Sequence, residues 1–147
     1  PNFNIVTKNA IVASDHILIP AKPDYLSTLG IDYLKMSLDR LIKEYNEYCE
    51  IEEDDDEIDK INPKITGVVF TMVQIRGGQP ISALRPYINQ TKKLGIPVFS
   101  DFIRENKTIF AGAASYGVPA ILDNSYKPDV IEGMEKVVDE FIKKIGL

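Results

Sequence analysis

The chain has 147 residues, enough for one domain with its own core, and no apolar run nears the ~20 residues of a membrane span. Its single cysteine, Cys49, excludes an internal disulfide and a multi-cysteine metal site. The net charge of −5 hides an asymmetry: residues 1–61 carry −8, residues 62–128 carry +5 and residues 129–147 carry −2, a pattern that suits either an anion-facing middle or a solvated surface with chance clustering.

The sequence opens at Pro1 without Met and without a legible signal peptide, which reads as a processed product or a fragment of a cytosolic protein. Phe3 to Ala13 reads as a short helix or a loop followed by one. His16 is the only histidine; with no Cys, Asp or Ser partner pattern around it, it reads as structural. Ile17 to Pro20 is a short buried strand closed by proline, and Lys22-Pro23-Asp24 is a turn. Tyr25 to Tyr48 reads as a long helix, because Leu26, Leu29, Leu34, Leu38, Leu41, Ile42, Tyr45 and Tyr48 recur mostly at three- and four-residue steps. Either Asp24 or Ser27 suits its N-cap. That stripe is expected to be core rather than a partner-binding face.

Glu50 to Lys60 is an acid run whose like charges favour a solvated loop. It lacks the glycine and spaced ligands of a calcium loop, so no metal site is assigned there. Ile65 to Val73 is apolar and β-branched, the mark of a strand buried on both faces inside a parallel sheet. Ligands of open α/β sheets sit beyond the carboxyl ends of strands, so the loop Gln74 to Gln79 is the first place to look for a site.

A helix is expected from Gln79 to Leu94, with Pro86 kinking it or moving its start. Ile96 to Phe99 reads as a strand, Asp101 to Lys107 as a polar loop, and Thr108 to Ser115 as a helical turn or two stopped at Tyr116-Gly117. Val118 to Leu122 reads as a strand or extended segment and Asp123 to Pro128 as a turn. The last helix is Asp129 to Ile145, with Val130, Ile131, Met134, Val137, Val138, Phe141, Ile142 and Ile145 on one face. Strands alternating with helices predict a single three-layer α/β domain, residues 1–147, with a mostly parallel sheet and an acidic insertion at about 50–60. No Gly-rich phosphate loop, dinucleotide motif, His-Glu-x-x-His or nucleophile elbow is present, so no catalytic residue is assigned.

PNFNIVTKNAIVASDHILIPAKPDYLSTLGIDYL, then NPKITGVVFTMV, IREN and SYGVP, resemble in order and spacing the C-terminal half of a ParA/Soj-type partition ATPase, of the MinD/ParA branch of P-loop NTPases. Pro1, Ala13-Ser14-Asp15, Ile19-Pro20, Ser27 to Ile31 and Asn62 to Met72 match that family's motifs, and the likeness spans nearly the whole chain. Its phosphate-loop lysines, first switch and Walker B aspartate would all lie before Pro1. Here Ile103 is followed directly by Arg104 where the family often has Ile-Pro-Arg, and Gly112-Ala113-Ala114-Ser115 replaces Glu-Ala-Pro-Ser.

The resemblance implies the C-terminal part of a P-loop NTPase fold, with Thr71, Met72 and Arg104 holding an adenine. It implies ATP and Mg2+ in the full-length protein, neither bound tightly nor hydrolysed by this chain alone. It further implies an ATP-bound homodimer, a ParB-like partner protein, and non-specific DNA bound by Arg76, Arg85, Lys92, Lys93, Arg104 and Lys107. The expected location is cytoplasmic, on the nucleoid when ATP is bound. The sheet edge that the family's earlier strands would cover is expected to be open and to self-associate. A non-enzymatic α/β interaction module without a phosphate loop is the alternative. A MinD-like membrane role is disfavoured, because residues 129–147 are amphipathic but carry −2.

Overall fold

The computed structural model describes residues 3–51, 59–110, 117–122 and 128–147. The chain is a mixed α/β fold built on a two-stranded parallel sheet, β1 (His16–Ala21) and β2 (Lys64–Phe70), joined by the long helix α2 (Tyr25–Ile51). Helix α1 (Ile5–Val12) precedes β1, capped by the Asn4 side chain, which accepts from the Thr7 amide at 3.1 Å. A hairpin of β3 (Ile75–Arg76) and β4 (Gln79–Pro80) follows β2, then α3 (Arg85–Lys93) and α4 (Pro128–Ile145).

β2 is the centre because both of its edges are paired. On one side it runs with β1. On the other, the Val68 amide donates to the Pro97 carbonyl at 2.8 Å and the Phe99 amide to the Val68 carbonyl at 2.9 Å. Residues 66–70 are consequently all buried. Side chains alternate across a strand, so the two faces of β2 serve different helices. Val68 and Phe70 pack with Ile19, Ala21 and Ile31, and with Leu34, Leu84 and Ile88 of the α2–α3 side. Val69 points the other way, against Phe99 and Val137, with Phe141 of α4 beside them.

α2 is tied at both ends. The Asp24 carboxylate accepts from the Ser27 amide at 2.8 Å, so Asp24 is the N-cap. Far along the helix, the Asn46 amide group matches a backbone: its Nδ2 donates to the Ile61 carbonyl at 2.9 Å and its Oδ1 accepts from the Ile61 amide at 2.8 Å. This pair docks the returning chain onto α2, and Lys60 with Glu50 adds an exposed ion pair at 2.7 Å. Most of the acid run, residues 52–58, lies outside the described residues. α2 is also tied to α3, because Lys35 Nζ donates to the Leu94 carbonyl at 3.1 Å, where the helix leaves carbonyls unpaired.

Several expectations are corrected. Gln79 and Pro80 belong to a hairpin, not a helix; the Gly77-Gly78 turn has φ of 59° and 76°, which a side chain would disfavour, and α3 starts at Arg85 with Pro86 in its first turn. Residues 96–99 meet β2 through one bridge, Val68 to Val98, rather than as a regular strand. Residues 120–122 form a 3-10 turn where a strand was expected. Residues 107–110 are helical and overlap the start of the expected 108–115 turn, whereas 111–116 and 123–127 lie outside the described residues. On α2 the buried residues are Thr28, Ile31 and Leu38, while Leu26 and Leu29 are exposed. On α4, Val137 is buried but Val138 and Ile142 are exposed.

Candidate functional site

Three chain segments end together at the carboxyl side of the sheet. β1 runs into the turn Lys22-Pro23-Asp24, where the Asp24 amide donates to the Lys22 carbonyl at 2.9 Å. β2 runs into Thr71, whose amide donates to the Ala21 carbonyl at 2.8 Å, and then into Met72. The third segment, residues 96–105, reaches the same end, because the Val73 amide donates to the Ile103 carbonyl at 3.1 Å and the Glu105 amide to the Val73 carbonyl at 3.0 Å. Lys22, Pro23, Asp24, Met72, Gln74, Leu84 and Glu105 enclose a cleft of about 150 Å³ there.

Met72 is the strained residue of this site. Its φ is 54°, a left-handed conformation that disfavours any side chain, and among the described residues no other non-glycine has positive φ. Such backbone persists where surrounding structure holds it, on the order of 1–3 kcal/mol above the relaxed state, and clusters at binding sites. Here Thr71 is fixed to β1 and Val73 to the third segment, so the turn at Met72 is enforced from both sides. Met72 is more than half exposed and its side chain borders the cleft. It offers a polarizable surface to a flat ring.

The polar groups are placed around it. Gln74 Nε2 donates to Glu105 Oε2 at 2.6 Å, which fixes that wall. Asp24 presents a carboxylate and Lys22 an ammonium, while Pro23 and Leu84 add apolar surface. Small clefts with apolar walls and a few convergent polar groups bind planar ligands by packing on the ring and bonding its edge. The Ser27 amide holds the Asp24 carboxyl below its ordinary value, against the opposing effect of burial, with Lys22 assisting. A depressed folded-state value means the stabilisation is present above the ordinary pKa of 3.8 and is lost as pH falls through the lower folded value. Asp24→Ala is expected to lose about 1 kcal/mol at neutral pH, with the gap to the parent closing under acid, while Asp24→Asn keeps the cap. Urea unfolding at pH 7 and at pH 3 measures both.

Of the adenine-side expectations, Thr71 and Met72 sit at this end of β2. Arg104 does not line the cleft. It pairs with Val73 through the backbone, and its charge acts on Glu132 and Lys136 of α4. Its neighbour Glu105 takes the cleft position, because side chains alternate along the segment. The sequence pointed to the loop that begins at Gln74, but it did not single out Lys22, Asp24 or Glu105 as site residues. The placement of Lys22 and Asp24 was legible only in that a β1-end turn neighbours the end of β2 in a parallel pair.

The basic candidates divide. Arg76 lies on the hairpin, and Arg85 Nε donates to the Pro80 carbonyl of the same hairpin at 2.8 Å. Arg85, Asn89 and Lys92 share one side of α3 and border a cleft of about 260 Å³ with Phe99, Ser100 and Phe102. Lys93 is exposed in the last turn of α3, and Lys107 is exposed beyond the third segment. Among the described residues, no group of three or more His, Cys, Asp or Glu is arranged to hold a metal ion, and no helix is long and apolar enough to cross a membrane.

No family model, no curated protein and no solved structure matches the chain.

Proposed function

We propose that the chain is the C-terminal half of a ParA-like partition ATPase, supplying the base-binding end of a nucleotide site and a DNA-facing surface. The observation that carries the reading is Met72, held left-handed and exposed in a cleft at the carboxyl ends of parallel segments. Helices α2 and α3 on one face of β2 and α4 on the other are the arrangement a three-layer P-loop fold would have. The side of β1 away from β2, which no strand pairs among the described residues, also supports it. Lys64 and Thr71 donate to the carbonyls of Asp15 and Ala21, so by alternation the main-chain groups of His16, Leu18 and Pro20 face away from β2. Pro20 has no N–H to offer, and proline is tolerated in a strand only where that N–H would be unpaired. On this reading an earlier strand carrying the phosphate loop lies along that side, ATP and Mg2+ bind the full-length protein, and the ATP-bound dimer coats the nucleoid in the cytoplasm with a ParB-like partner.

The base site is tested by titrating the chain with adenosine monophosphate while following the Met72 methyl by NMR. A saturable shift of that methyl supports the reading, and an unperturbed methyl at millimolar ligand sinks it. The DNA surface is tested in the full-length protein with ATP. Lys92→Ala with Lys93→Ala is expected to weaken duplex binding on the order of tenfold at low salt, and to flatten the salt slope by roughly two, because each phosphate contact releases about one counterion. Parent-like affinity and slope would place the DNA surface elsewhere.

A second reading, a non-enzymatic interaction module, is favoured by an apolar groove of about 510 Å³ beside β1, bordered by Leu18, Leu26, Gly30 and Leu34. The codons upstream of Pro1 separate the two. A Gly-rich phosphate loop there supports the ATPase, and a start codon beside Pro1 supports the module.

A further inference from the structure

The third segment does not follow β2 evenly. The Phe99 amide bonds Val68 and the Ile103 amide bonds Phe70, so two residues of β2 are matched by four of the segment. Residues 100–102 therefore bulge away from β2, and the Ser100 and Asp101 amides have no carbonyl on β2 to meet. α4 supplies the acceptor. Glu140 Oε2 takes the Ser100 amide at 2.9 Å, the Ser100 hydroxyl at 2.7 Å and the Asp101 amide at 3.4 Å. Its other oxygen, Oε1, lies 3.5 Å from Lys144 Nζ, and that ammonium sits 5.3 Å from the centre of the Phe99 ring.

A bulge sets register: its two extra residues keep the alternation in phase but set every later residue two places back along β2. Beyond this bulge, Glu105 faces the cleft and bonds Gln74, while the Arg104 charge acts on Glu132 and Lys136 of α4. Without the two extra residues Ile103 would take the place of Glu105 on the cleft wall. We propose that Glu140 is a positioning residue for the cleft: by bonding the Ser100–Asp101 bulge it fixes the register that puts Glu105, not Ile103, on the cleft wall. Burial raises the Glu140 carboxyl, yet the Ser100 and Asp101 bonds outweigh it and hold the group below its ordinary value. The carboxylate is thus ionised and fully accepting at neutral pH.

The function of the wall rests on the base-site reading; the register does not. Glu140→Met keeps the length of the side chain and removes its acceptors, and Glu140→Gln keeps one acceptor oxygen. In Glu140→Met the Ile103 and Glu105 amides are expected to exchange with solvent about tenfold faster, since bonds to a charged group are lost locally. The Val137 and Phe141 amides of α4 should be unchanged, and Glu140→Gln should restore most of the protection. Ser100→Ala, which leaves the helix untouched, should show a smaller rise at Ile103. In the parent chain adenosine monophosphate should shift the Met72 methyl, with several-fold weaker binding in Glu140→Met. Unchanged exchange at Ile103 and Glu105 overturns the proposal. So does an equal rise throughout α4, because Glu140 would then merely anchor the helix. If the nucleotide leaves Met72 unperturbed in the parent, the base-site reading fails, and the exchange experiment alone decides the role of Glu140.

Discussion

Gly67→Ala is expected to destabilise the fold by about 3 kcal/mol, the upper part of the range for overpacking a filled interior. A Cβ on Gly67 would lie 2.8 Å and 2.9 Å from two ring carbons of Phe99 and 3.1 Å from the Pro97 carbonyl oxygen. The backbone oxygen cannot retreat easily, because the Pro97 carbonyl accepts from Val68. Gly67 also sits where the β1–β2 register shifts, Ile17 facing Ile65 and Leu18 facing Gly67, which leaves Thr66 as an extra residue. Its φ of 157° adds to the strain of any side chain there. Urea unfolding measures the loss; a variant within 0.5 kcal/mol of the parent, on the order expected of surface changes, would mean the third segment yields freely.

Phe99→Ala is expected to lose about 3–5 kcal/mol, the range for truncating a buried aromatic ring. Phe99 is buried against Val69 and Val137, with Ile103 and Phe141 beside it, so its ring joins β2, the third segment and α4. The Lys144 ammonium over the ring would lose its partner as well. The two changes should couple. With the ring gone, most of the clash at Gly67 disappears, so the double variant is expected to be less destabilised than the two losses added together. Simple additivity would show that the Pro97 carbonyl, not the ring, opposes a side chain at Gly67.

By itself the sequence determined the elements whose signal is long or repeated. α2 and α4 follow from apolar steps of three and four, β1 and β2 from short β-branched runs, and the α2 cap was narrowed to Asp24 or Ser27, of which the structure uses Asp24. It also pointed to the end of β2 as the place for a site, since a parallel strand delivers its loop to the carboxyl edge. The hairpin escaped because two residues per strand carry no period. The α2 stripe was too wide because periodicity marks an apolar face without saying how much of it is covered. Leu26 and Leu29 belong to that face, yet both are exposed, and Leu26 borders the groove beside β1. Tertiary structure alone decided the composition of the cleft. Glu105 rather than Ile103 reaches it because a bulge at 100–102 sets the register, and that bulge is held by Glu140, 40 residues along the chain from Ser100. Alternation can be read from sequence, but the register is fixed only when a distant side chain satisfies the amides that the bulge leaves open.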